Sequence, residues 1–202
     1  SGLLVKPERG FWEIDYGKRI CYGFNYPKHR REGATNRGCC MNYELISRTL
    51  KASGVIMSKD ADSSQDAFGE KLVLPLRALK KSAFFFVPNM TSSTLTIKTE
   101  QIIFDSTESS RSNSNSENQG LLSTIHPNTN TNERKEDGNK YLFVHGDEVG
   151  KENPLAKYDL LLRHNVMMKT IAQGSLINGL MLNTSTSDDT KGDAGRRYMD
   201  LC

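Results

Sequence analysis

Half of one 36-residue stretch in the middle of the chain, 18 of the residues from Asp105 to Lys140, is serine, threonine or asparagine. Ordering a residue's backbone costs about 1–2 kcal/mol, and a tract with so few apolar side chains has little burial to offset that. The expectation is a disordered Ser/Asn-rich insert over residues 106–139, with folded sequence on both sides. Loop-closure entropy grows only logarithmically with length, so one domain tolerates such an insertion. The whole chain has 202 residues, 36% of them hydrophobic and 25% charged. That balance suits a single domain over 1–202 and argues against wholesale disorder. Residues 184–197, again rich in Ser, Thr, Asp and Gly, read as a second loose segment. Ser1-Gly2 in place of an initiator Met reads as a protease-site scar, which makes the chain a fragment of a longer protein.

Either side of the insert the patterning is that of an α+β protein. Trp12, Ile14 and Tyr16 alternate, a Gly17-Lys18 turn follows, and Ile20, Tyr22, Phe24 and Tyr26 alternate again. Period-two spacing of aromatic and β-branched residues predicts an N-terminal β-hairpin over 10–26, closed by Pro27. Lys28 to Cys40 shows no period and reads as a basic loop. Asn42 then caps a helix over 43–53 that ends at Gly54. Residues 58–70 are acidic and serine-rich, a loop, and Pro75 starts a short helix to Lys81 that buries Leu76 and Leu79. Ala83–Val87 reads as a strand covered on both faces, and Thr94–Asp105 as a strand or a broken pair. After the insert, Tyr141–Val144 is a strand, and the simplest geometry pairs it with Ile102–Phe104. Asn153-Pro154 starts a helix to about Asn183, in one piece or two because Gly174 and Gly179 interrupt it. The expected architecture is a mixed or antiparallel sheet with two or three helices packed on it.

Charge is uneven. Residues 1–100 carry 16 basic and 10 acidic residues, whereas 101–202 carry 11 and 14. From Lys18 to Arg48 there are seven basic residues against Glu32 and Glu44. A local excess of that kind attracts anions, phosphate above all. Aromatics lie directly before it, in the run Tyr22-Gly23-Phe24-Asn25-Tyr26-Pro27-Lys28-His29-Arg30-Arg31. On a sheet such aromatics either fill the core or stack bases, while flanking cations hold phosphates. Of the RNA-recognition consensus only Tyr22, Gly23 and Phe24 match in register, too little to assign that family.

Other chemistries fail their spacing tests. Gly146-Asp-Glu-Val-Gly150-Lys151 is one residue short of a phosphate-binding loop, carries two acids and lacks the final Ser/Thr, so it reads as a turn. Cys21, His29, Cys39 and Cys40 are the available zinc ligands, but no C-x₂-C pair exists and adjacent cysteines rarely share one tetrahedral ion. Four cysteines, one of them terminal, are not the density of a disulfide scaffold, which favours a reducing compartment. His29, His126, His145 and His164 are scattered, and no hydrolase or metalloprotease motif is present. No apolar run approaches the roughly 18–20 residues of a membrane span.

The sequence therefore points away from an enzyme, a cofactor and a metal. It points to a nucleic-acid-binding module, DNA ahead of RNA, of a nuclear regulatory protein, with the cytoplasm as the other compartment. The expected phosphate and base contacts are Lys18, Arg19, Tyr22, Lys28, Arg30, Arg31, Arg37, Arg48 and Lys51. The insert suits regulation by phosphorylation. The alternative is a protein-interaction or scaffold domain whose basic loop docks an acidic partner, other nuclear proteins among them.

Overall fold

Apolar runs that end in polar residues become the strands of one mixed sheet, and helices pack on it, the α+β arrangement the patterning implies. The fold is a computed structural model describing residues 4–5, 13–14, 23–82, 94–98, 100–105, 122–129, 136–151, 160–173, 176–186, 195–196 and 198–199. The strands are β1 (Leu4–Val5), β2 (Glu13–Ile14), β3 (Gly23–Lys28), β4 (Ser53–Ser58), β5 (Thr94–Ile97), β6 (Ile102–Asp105) and β7 (Ser123–Thr129). They continue with β8 (Phe143–Asp147), β9 (Ala172–Gln173), β10 (Leu176–Ile177) and β11 (Leu180–Thr186). The helices are α1 (Ala34–Ser47), α2 (Ala61–Phe68), α3 (Leu74–Leu79) and α4 (Leu160–Thr170), with a π-helical turn, Gly69–Val73, joining α2 to α3.

The main sheet has seven strands in the order β3-β11-β8-β4-β7-β6-β5. The first five run parallel, and β6 and β5 close the far edge as an antiparallel hairpin. Parallel strands need crossovers, and the crossover helices cover both faces. On one face α1, α2, the π-helical turn and α3 bury Cys39, Ile46, Phe68, Leu72 and Leu76 against Ile56, Ile102, Phe104 and Ile125. On the other, Met167 of α4 and Ile171 just beyond it pack on Val55, Met57, Val144 and Met181. Alternation along β4 explains this directly, since Val55 and Met57 face α4 while Ile56 faces α1.

Several local expectations change. The pair read in Thr94–Asp105 is the β5–β6 hairpin. Ile102–Phe104 does not pair with Leu142–Val144: β6 lies against β7, and β8 lies between β4 and β11. Within the expected insert, Ser123–Thr129 is a strand in the sheet, while 106–121 and 130–135 lie outside the described residues. Its Ile125 is fully buried. Its hydroxyls serve backbone groups: Ser123 Oγ accepts from Ala52 N (3.1 Å) and donates to Thr49 O (2.5 Å). Pro127 is tolerated because β6 pairs only as far as Ile125, leaving the rest of β7 bonded on one side.

The helix expected over 43–53 begins earlier, at Ala34. Asn42 is buried inside it and donates to Val55 O (3.3 Å), and Gly54 belongs to β4. Residues 61–68 are helical rather than a loop, with Asp60 capping Ser63 N at 2.7 Å. Leu76 is buried as expected, whereas Leu79 is exposed. Only Leu160–Thr170 of the expected 154–183 helix is helical among the described residues; β9 and β10 form a small antiparallel pair and β11 enters the sheet. The loose segment 184–197 shortens too, because Thr184–Thr186 belong to β11 and Tyr198 beyond it is buried, donating to Asn183 O at 3.1 Å. At the N-terminus Glu13–Ile14 pairs with Leu4–Val5, and Gly23–Lys28 pairs with β11. Residues 15–22, which would link the expected hairpin, and the expected strand 83–87 lie outside the described residues.

Candidate functional site

All five parallel strands point their carboxyl ends to one edge, and the chain reverses direction in the sheet between β4 and β8. From β4 the chain moves to β7 on one side, and from β8 to β11 on the other. In open α/β sheets ligands sit outside the carboxyl ends at such a point. Here that edge carries the segment from Lys28 through the first turn of α1.

Lys28, the last residue of β3, points inward. It is 8% exposed, and its Nζ lies 2.5 Å from Oδ1 of Asp147, itself 6% exposed at the end of β8. Thr35 Oγ1 donates to Asp147 Oδ2 (2.8 Å) and accepts from Lys28 Nζ (3.3 Å). Thr184 of β11 donates to Asp147 Oδ1 (2.7 Å), and its Oγ1 lies 3.4 Å from His145 Nε2. The register makes this possible, since Thr184 sits opposite Asp147 on one side and Tyr26 on the other. Burial alone would raise the Asp147 carboxyl, but His145, Lys28 and the hydrogen bonds from Lys28 and Thr184 hold it below the usual carboxylate range. His145 is fully buried, and desolvation pulls its imidazole down to about 4, opposed by Asp147 and reinforced by Lys28. It is neutral at pH 7. Its ring fits only because α1 has a glycine above it: a Cβ on Gly38 would stand 2.3 Å from the imidazole Cε1. This network ties β3, α1, β8 and β11 together, and it is the base on which the β3–α1 turn is built.

The turn itself is exposed and cationic. Arg30, Arg31 and Arg37 are exposed, and the one acid among them, Glu32, accepts a hydrogen bond from Tyr26 Oη at 3.2 Å. Arg31 (φ 67°) and Gly33 (φ 73°) adopt left-handed conformations, which fold the chain sharply into α1. No side chain caps that helix and no acid lies in its first turn; the first intrahelical bond runs from Arg37 N to Gly33 O at 3.0 Å. The amides ahead of Arg37 have no acceptor within the helix, and the helix dipole adds positive potential there.

The expected site residues therefore separate. Arg30, Arg31 and Arg37 come together on the turn. Lys28 is removed from the surface footprint, because its charge is consumed by Asp147. Arg48 is exposed one turn beyond Glu44, with which it forms an ion pair, and exposed Lys51 (φ 56°) follows at the other end of α1. Lys18, Arg19 and Tyr22 lie outside the described residues. Of the turn expected over Gly146–Lys151, Gly146 and Asp147 belong to β8, and the rest is a turn held by Gly150 N on Ser185 Oγ (3.1 Å) and Lys151 Nζ on Glu148 (2.9 Å). Among the described residues no three of His, Cys, Asp and Glu gather as metal ligands; Cys40 is exposed, while Cys39 is buried with its thiol pushed up to about 12, chiefly by desolvation. No helix among them is long and apolar enough to cross a membrane.

In the sequence His145 stands as one of four scattered histidines and Asp147 as an acid in a turn, and nothing there singles out Thr35 or Thr184. One signal was present: His145 and Asp147 directly follow the apolar Phe143-Val144, which puts polar side chains at a strand's carboxyl end. No family model matches this chain, and no curated protein matches it significantly.

Proposed function

We propose that this protein is a nucleic-acid-binding module that holds phosphates on the β3–α1 turn, acting within a nuclear regulatory protein. The observation that supports this reading most is the coincidence of three exposed arginines with an uncapped helix start. Helix N-termini of that kind receive anions through backbone amides, and arginine adds planar, bidentate phosphate contacts. The role is positioning on a backbone and carries no base specificity by itself. Equilibrium binding to DNA and RNA across a salt series tests it. Each phosphate contact contributes about −0.9 to the slope of log K against log salt on duplex DNA and about −0.7 on single strands. The change Arg30→Ala plus Arg31→Ala should flatten that slope by up to about two contacts' worth at constant melting temperature. Absence of affinity for any nucleic acid at low salt refutes the reading and moves the turn to an acidic protein partner.

A further inference from the structure

We infer that the nucleic acid bound at this turn is single-stranded, with Phe24 and Tyr26 as the surface on which its bases stack. The inference rests on the phosphate-binding reading above and adds to it the class of strand.

Phe24, Tyr26 and Lys28 alternate along β3 and share the sheet face that carries α1, opposite Leu182, Thr184 and Thr186 of β11. β3 is the outermost strand of the main sheet on that side. Helix α1 packs chiefly over β8, β7 and β4 and reaches β11 only lightly, so the aromatic positions on β3 lie at the margin of its cover. Lys28 is drawn under the turn by Asp147, whereas Phe24 remains 39% exposed and Tyr26 37%. Two large aromatic rings exposed side by side cost solvation that a core position would recover, which marks them as a contact surface. The cationic turn Arg30–Arg37 begins four residues after Tyr26.

Spacing selects the strand type. Residues two apart on a strand lie about 6.6 Å apart, twice the roughly 3.4 Å step of stacked bases in a duplex. A duplex keeps its base faces against one another and cannot offer them to both rings. A single strand can splay successive bases onto alternate aromatics while its phosphates follow the arginines, and such stacking is tolerant of sequence. The Tyr26 hydroxyl donates to Glu32, which ties this ring to the cationic turn.

The test uses the full chain with a 15-nucleotide oligothymidylate, the matching oligouridylate and the corresponding duplex, each titrated by fluorescence anisotropy at low salt. The single strands should bind at least tenfold more tightly than the duplex. Phe24→Leu plus Tyr26→Leu should lower single-strand affinity tenfold or more, since stacking on each ring is worth about that factor. Duplex affinity and the thermal melt should stay put, and Phe24→Tyr plus Tyr26→Phe, which keeps both rings, should retain binding even if the leucine pair melts early. Equal affinity for both forms, with leucine substitution silent and Arg30→Ala plus Arg31→Ala weakening both, overturns the stacking inference and leaves phosphate binding standing. No binding by any of the three oligonucleotides overturns both.

Discussion

Lys28 and Arg30 stand two residues apart and carry the same charge, yet the fold treats them oppositely. Lys28 is sunk at the end of β3 against Asp147, with Thr35 and Thr184 completing the shell; Arg30 and Arg31 lie on the surface. The end of the strand decides it: Lys28 is the last residue of β3, on the α1 side within reach of the Asp147 carboxylate of β8, whereas Arg30 lies beyond the strand on the turn. A charge count along the sequence treats all of these cations as one footprint. The structure divides them into a buried charge that shapes the turn and charges that lie on the surface.

The sharpest way to break this comparison is to remove one buried partner. Asp147→Ala strands the Lys28 ammonium, and Lys28→Met strands the carboxylate; each should lower stability by about 3–5 kcal/mol in denaturant titration. The double change Lys28→Met plus Asp147→Leu should recover much of that loss, because no uncompensated charge remains. A mild effect of either single change would show that the pair is solvated after all.

Acid should act next most strongly. Above pH 6.5 His145 is neutral in both folded and unfolded chains and contributes no pH dependence. As pH falls from 6.5 to about 4, the unfolded chain takes up a proton that the buried ring refuses, so stability should drop by about 3 kcal/mol across that window. His126 and His164, both pulled down mainly by burial, act in the same direction, and Asp147, held low, adds its own loss only below about 4. His145→Gln should flatten the profile. A profile unchanged by that substitution would relocate the acid sensitivity to the other two histidines.

A smaller contrast of the same kind separates the vicinal cysteines. Exposed Cys40 should be alkylated by iodoacetamide in the native protein, while Cys39, buried with its thiol raised to about 12, should react only after unfolding. Peptide mapping after timed alkylation reads this directly, and equal labelling of both would mean that α1 opens readily from α2.

Much of the frame was legible in the residues. A strand pair within Thr94–Asp105, a strand at 141–144 that the structure moves to Phe143–Asp147, and an aromatic strand ending near Pro27 all follow from period or punctuation, although the last pairs parallel with β11 and runs through Pro27 to Lys28. What escaped has definite physical causes. The segment Leu180–Thr186 is buried along most of its length between two parallel neighbours, so it lacks alternation, and Leu176 and Leu180 happen to extend the helical stripe of α4. Helix α1 opens with Gly33 and Gly38, poor helix formers whose presence is explained by the left-handed start and by the His145 ring. Ser123–Thr129 is hidden by composition, since one isoleucine and a set of small hydroxyls suffice for an inner strand. The polar network was missed because its members, Lys28, Thr35, Asp147 and Thr184, come from four separate elements that only the parallel register brings together.

The comparison between Lys28 and its exposed neighbours is tested most directly by the salt dependence of binding in three proteins: wild type, Arg30→Ala plus Arg31→Ala, and Lys28→Met. On a single-stranded oligonucleotide the arginine pair should flatten the slope of log K against log salt by up to about 1.4 units. Its melting temperature should stay at the wild-type value. Lys28→Met should melt earlier yet keep the wild-type slope wherever it remains folded. A slope unchanged by the arginine substitutions, or flattened by Lys28→Met, would contradict the division of the turn into a buried structural charge and an exposed phosphate-binding one.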